Sequence, residues 1–291
     1  MHSNIVILAG GISSRMKKPL PDAAPLDLAL LRDAAEKPKA MIGVGENFRP
    51  FLDYLLHNIA AAGYRNVVIV IGEQDDSIRA YYEEGDGAKR FQSLKISYAV
   101  QPIPAGRQKP LGTADALWHA LERMPAWRGQ SFTVCNSDNL YSQAALDLMR
   151  TVTHANAMID YDRAALQFAH ERIAQFAVIE KDAEGFLRNI IEKPSPEEIA
   201  RVADKGGKIG VSMNLFHLAY DQILPCLETV PLHPVRQEKE LPAAVKMLVG
   251  QNPQAVFTIP RSEHVPDLTM QTDILPVKKY LQEQFQSYDR N

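Results

Sequence analysis

The chain has 291 residues, 46% apolar and 23% charged, with a net charge of −3. That length suits one large α/β domain or two small ones, and the composition is ordinary for a globular protein. The slight acidity excludes bulk attraction to nucleic acid or to an anionic membrane, so any phosphate site must be built locally.

Residues 4–10 (NIVILAG) read as a buried strand that runs into Gly10-Gly11. Residues 17–39 carry four prolines around a short Leu-rich helical core and form the most loop-like stretch. Apolar residues at helical spacing predict a helix over 51–64, stopping at Gly63, before a second buried strand at 66–72. A short helix at 76–84, a strand at 94–100, a helix at 113–124 and a strand at 131–138 follow. Strands alternating with helices predict an α/β fold, a mostly parallel central sheet with helices on both faces.

The second half is more mixed. Residues 174–182 and 184–194 predict a hairpin around Asp182-Ala183-Glu184-Gly185. Ser195, with Glu198 three residues later, predicts a capped helix over 195–207. Residues 209–218 and 255–260 read as strands, and 272–285 as a final helix. Cys135 and Cys226 sit among apolar neighbours without metal-type spacing and read as buried free thiols of a reducing compartment. No secretory leader is expected at the N-terminus, and no apolar run approaches the roughly 20 residues that span a bilayer. The expectation is a cytoplasmic protein with no nucleic-acid or membrane partner, homo-oligomerisation being left open.

In open sheets of this kind ligands bind beyond the carboxyl ends of the strands. Gly10 and Gly11 let backbone N–H groups approach an anion, Ser13 and Ser14 add hydroxyls, and Arg15 adds a charged fork. The same residues suit a tight turn, and the loop alone does not choose. Asp138, just past an apolar strand, offers a hard oxygen ligand of the kind Mg²⁺ takes beside a phosphate, though an aspartate there also suits a turn. Gly112 opens a helix where a phosphate or flat ring could approach, and Gln101 lies just past its strand with an amide able to pair with a base edge. Glu192 and Lys193 fall at a strand end marked by Pro194, where a solvated surface pair is the ordinary reading. Asp267 precedes the last helix, and Asp273 reads as its cap.

In their order and spacing, LAGGISSRM (8–16), KPKAMIGV (37–44), LGTADAL (111–117), SDNLY (137–141) and IIEKP (190–194) resemble the sugar-1-phosphate nucleotidyltransferases. The likeness runs from about Ile5 to about Tyr280. It implies a Rossmann-like fold and transfer of a nucleotide from an NTP to a sugar 1-phosphate with release of pyrophosphate. By that resemblance Gly10, Gly11, Ser13 and Arg15 would wrap the triphosphate, and Lys39 would neutralise it. Gln101 and Gly112 would contact the base, while Glu192, Lys193 and Asn214 would hold the sugar phosphate. Asp138 and Asp267 would bind Mg²⁺. Arg15, Lys39, Asp138 and Lys193 are thus the expected catalytic set.

There are departures from the family pattern. Ser137 replaces a glycine, Met213-Asn214 replace Thr-Gly, and the Arg15-to-Lys39 spacing is longer. Lys18-Pro19-Leu20 imitates the family's Lys-Pro-apolar run, but only Lys39 is followed by an apolar stretch and a long helix. Residues 17–38 therefore read as an insertion near the site within a single domain, 1–291, that ends in a helical segment at about 268–291. No hexapeptide repeat is present, so no β-helix domain is expected. A related transferase for a non-sugar phosphate and a non-catalytic nucleotide-sugar sensor are the alternatives.

Overall fold

A computed structural model describes residues 1–18 and 26–289. Its strands are β1 (Asn4–Leu8), β2 (Asn66–Gly72), β3 (Lys95–Gln101), β4 (Ser131–Asn136) and β5 (Ala157–Asp162), then β6 (Val178–Lys181), β7 (Leu187–Ile191), β8 (Gly210–Val211), β9 (Phe216–Ala219) and β10 (Phe257–Arg261). They form a sheet in the order β3-β2-β1-β4-β9-β5-β8-β6-β7, with β10 pairing β5. The β3-β2-β1-β4 half is wholly parallel. Beyond it β9, β8 and the β6-β7 hairpin pair antiparallel. The sheet is thus mixed, with the expected parallel arrangement at its core.

The parallel half follows from its sequence. β1 is buried along its whole length and β2 almost so, which requires cover on both faces. Ile5 and Ile7 face one core with the Phe51–Ala61 and Gln143–Thr151 helices. Val6 and Leu8 face the other, with the Thr113–Arg123, Tyr220–Thr229 and Leu241–Gln251 helices. Alternation of side chains along the strand divides them in this way. Cys135 lies in the first core and Cys226 in the second, both as free thiols, and burial raises both pKa values.

Several sequence expectations need correction. Residues 209–218 are two short strands rather than one, because Asn214 between them takes a left-handed backbone (φ 55°) that cannot continue a ladder. The helix expected over 195–207 stops at Arg201, although its Ser195–Glu198 capping box is present. Helices Gln143–Thr151, Tyr220–Thr229 and Leu241–Gln251 and strand β5 add to the predicted set. Pro225 inside the second of these helices and Pro242 at the start of the third obscure their period. Residues 19–25 of the expected insertion lie outside the described residues. Among those described, no helix is long and apolar enough to cross a membrane.

His2 and His217 meet beneath the sheet, Nε2 to Nδ1 at 3.0 Å, beside the Met149 carbonyl. Burial lowers both pKa values to about 4, each ring also being penalised by charge nearby. The unfolded chain therefore binds these protons from about pH 6.5 downward, while the folded chain resists them until about pH 4. Folding stability should fall as pH drops through that window, by up to roughly 3 kcal/mol for each ring. Denaturant melts of His217→Gln should show a flatter pH dependence; parallel curves for variant and parent would remove this account.

Candidate active site

β1, β3 and β4 run parallel with β2 between β1 and β3, so their carboxyl ends open on one edge. Gly10, Gln101 and Asp138 lie at or just past those ends. A cavity of about 430 Å³ lies there, walled by the Gly10–Arg15 loop, Lys39, Gln101, Gly112 and Asp138, with Glu192 and Asn214 opposite. A hollow of about 850 Å³ continues from it and reaches Lys193 and Asp267. The two share Arg15, Asn136, Asp138, Glu192, Asn214 and Arg236. Every residue given a site role from the sequence therefore lines one two-lobed cleft.

Ser13 explains how the loop reaches Lys39 across the sequence. It adopts φ 56°, and its Oγ accepts from the Lys39 backbone N–H at 3.2 Å. The Lys39 ammonium then donates to Asp138 Oδ2 at 2.8 Å, with both side chains mostly buried. Lys18 is exposed. Lys17 lines an adjoining recess of about 240 Å³ that shares Gly10, Gly11, Ser13 and Gln101 with the first lobe.

Asp267 is brought to Asp138 by backbone pairing rather than by chain proximity. Asn139 and Asp267 form an isolated antiparallel bridge. Leu140 N–H donates to the Pro266 carbonyl at 2.9 Å, and Leu268 N–H donates to the Asp138 carbonyl at 2.8 Å. Burial first, and then the facing Asp138 carboxylate, push the Asp267 pKa up to about 6. Thr269 Oγ1 donates to its Oδ1, and Arg172 Nη2 lies 3.0 Å from its Oδ2; both act in the opposite sense. Asp273 accepts from the Thr269 and Met270 backbone N–H groups at 2.8 Å each, so its side chain reaches back to the turn before it and, contrary to the sequence expectation, does not cap the last helix.

The donor set fits a magnesium ion held with phosphate. Two carboxylates meet, and one is buried and raised by the other, a repulsion that a cation would relieve. Among the described residues no cluster of three or more His, Cys, Asp or Glu gathers as ligands. Mg²⁺ bound here would therefore complete its shell with water and substrate oxygens, its usual habit.

Gln101 is buried and oriented. Its amino group donates to the Gly112 carbonyl at 2.9 Å and to Asp115 Oδ2 at 2.7 Å. Neither acceptor carries a proton to give back, so the carbonyl oxygen is the end left facing Gly10. Glu192 and Lys193 follow β7 directly, and Lys193, like Ser13 and Asn214, holds a left-handed backbone (φ 48°). Such strained non-glycine residues gather at ligand sites.

Gly112 caps the Thr113–Arg123 helix at φ 108°, and a Cβ there would meet the Lys239 carbonyl at 2.6 Å. That carbonyl accepts from Ala114 N–H, so residues 231–240 strap the helix N-terminus. Gly112→Ala should cost about 1–3 kcal/mol of stability by combining backbone strain with this collision. A denaturant midpoint equal to the parent's would show that the strap yields freely.

The strap holds side chains the sequence reading missed. Arg236 lines both lobes, pairing with Glu240 at 2.7 Å and lying 3.8 Å from Glu192. Lys109 pairs with Glu238 beside it. Arg172 lines the larger lobe. The dense charge of VRQEKE (235–240), directly before a helix, was the available signal for Arg236. Arg172 carried none.

Residues 5–208 match the family described as "Nucleotidyl transferase". Glucose-1-phosphate adenylyltransferase of Bifidobacterium longum (strain NCC 2705) is 26% identical over 232 residues, covering 75% of this chain and 50% of that protein. Glucose-1-phosphate adenylyltransferase 1 of Vibrio parahaemolyticus (serotype O3:K6, strain RIMD 2210633) is 26% identical over 194 residues, 65% of this chain and 43% of that one. The chain thus spans about half the length of the curated relatives it matches. A UDP-glucose pyrophosphorylase solved with UDP-glucose superposes at TM-score 0.69 with 16% identity, covering 98% of this chain and 100% of that one. A UTP-bound UGPase from Acinetobacter baumannii superposes at TM-score 0.67 with 18% identity, covering 97% and 94%. Those two likenesses concern the fold.

Proposed function

This chain belongs to the nucleotidyl transferase family, and from that premise we propose that it joins a sugar 1-phosphate to an NTP, giving a nucleotide-diphosphate sugar and pyrophosphate. The observation that carries the reading is the two-lobed cleft whose lobes meet at Arg15 and Asp138, with Lys39 bonded to Asp138. One lobe offers the backbone of a glycine loop and the oriented Gln101 oxygen, suited to an NTP whose base presents an N–H. The other offers Glu192, Lys193 and Asn214, suited to sugar hydroxyls and a phosphate.

The chemistry then follows from charge. A sugar phosphate, with a second pKa of about 6, is already an ionised nucleophile near neutrality, so no general base is needed. Its oxygen attacks the α-phosphorus, the bond from that phosphorus to the bridging oxygen breaks, and pyrophosphate leaves with the electron pair. The work of the protein is to hold two polyanions in line and offset their charge. Gly10, Gly11 and Ser13 direct donors at the triphosphate. Arg15 and Lys39 place positive charge beside it, while Lys193 and Arg236 approach from the sugar side. Asp138 and Asp267 would hold Mg²⁺, which supplies further charge neutralisation when bound.

The test is pyrophosphate release from each of four or five NTPs paired with common sugar 1-phosphates. One productive pair is expected. Nucleotide binding without release across the whole panel would replace the enzyme with a sensor, and release with a non-sugar phosphate alone would replace the acceptor.

A further inference from the structure

We propose that Arg172 is a positioning residue for the cation site: an internal counter-ion of Asp267 that opposes divalent-cation binding and ties that event to the 163–177 segment over the larger lobe. The proposal rests on the reading of Asp138 and Asp267 as the cation-binding pair.

Three observations carry it. The guanidinium reaches two carboxylates at once: Nη2 lies 3.0 Å from Asp267 Oδ2, and Nη1 pairs with Asp273 Oδ1. The two contacts differ in kind. Nη1 donates a hydrogen bond to Asp273, whereas Nη2, although buried, has no hydrogen-bond partner of good geometry. The Arg172–Asp267 contact is therefore the less well aligned of the two, and a cation at Asp267 can displace it while Asp273 keeps its partner. Finally, Arg172 belongs to the connection between β5 and β6 rather than to the sheet. It sits on the single-turn helix His170–Ile173, and its guanidinium covers the Phe168 ring with 4.6 Å from Cζ to the centroid. Phe168 in turn meets Phe176 and His264 edge-on. A guanidinium drawn off Asp267 shifts against the ring it covers, and that ring is part of the wall of the lobe.

The two carboxylates are thus each matched to a cation of the chain, Lys39 for Asp138 and Arg172 for Asp267. Lys39 comes from the glycine-loop side of the cleft. Arg172 comes from the other, so a change at Asp267 also reaches the acceptor lobe.

Mn²⁺ is the probe, titrated into the purified full-length chain and followed by the electron paramagnetic resonance of the free ion. Arg172→Gln should tighten Mn²⁺ binding about tenfold, because one nearby positive charge is removed. Arg172→Lys, which keeps the charge, should return the affinity toward that of the parent. Unchanged or weaker Mn²⁺ binding in Arg172→Gln would overturn the proposal. In the parent itself, Mn²⁺ should raise amide hydrogen exchange over residues 168–173, and identical exchange with and without the ion would also overturn it. Asp138→Asn separates the two readings. If Mn²⁺ binding survives that change intact, the cation site itself is misplaced; if it is lost there yet unaltered in Arg172→Gln, the counter-ion role alone fails.

Discussion

Asp138→Asn is expected to lower kcat for pyrophosphate release by about a thousandfold, the upper end of what one preorganised charge-stabilising group supplies. The substitution is nearly isosteric. It preserves the strand end that positions residue 138 and the backbone bond by which Leu268 N–H holds its carbonyl. What it removes is the negative charge that pairs with Lys39 at 2.8 Å and, with Asp267, would hold the cation. The melting temperature should stay close to that of the parent, because asparagine keeps an oxygen that can accept from the Lys39 ammonium. The loss should also fall on kcat more than on KM, since the charge it manages grows toward the transition state. Near-normal turnover in the Asp138→Asn enzyme would reject the assignment.

The second large effect distinguishes two lysines. Lys39→Ala should cut kcat/KM by about 10²–10³-fold, because it takes a positive charge from beside the phosphates in a partly buried site. Lys18→Ala should change it by less than about threefold, since an exposed charge is screened by solvent and salt. Lys39 is held at the cleft twice, by its backbone N–H to Ser13 and by its ammonium to Asp138, whereas Lys18 is exposed. Truncation at Lys39 leaves the Ser13 bond in place, so a loss of activity would report the ammonium rather than a displaced loop. Abolished turnover in Lys18→Ala with Lys39→Ala still active would reverse the assignment.

Much of this was legible in the chain itself. The parallel half of the sheet announced itself because β1 and β2 are apolar on both faces, and only strands buried on both sides read that way. The capping box at Ser195 and the Asp182–Gly185 turn were legible for a similar reason: their determinants lie within four residues of one another. The antiparallel half was less so. Its strands are short, and Asn214 breaks one apolar run into two by a backbone conformation that the residue name does not declare. The helix over Tyr220–Thr229 was hidden by a proline in its interior, which packing onto the sheet overrides.

What the sequence determined by itself was the α/β class and the set of polar residues at strand ends, because ligands gather where parallel strands terminate and those termini are written in local pattern. Only the tertiary structure decided which charges face one another. Lys39 meets Asp138 across 99 positions, Arg172 meets Asp273 across 101, and Gln271 donates to the Met16 carbonyl across 255. No periodicity links such pairs; they are set by strand order and by the crossovers that carry the chain from one edge of the sheet to the other. The family resemblance could place Asp138 and Asp267 in one site, but the guanidinium that occupies the space beside Asp267 became visible only when the segment after β5 folded back over it.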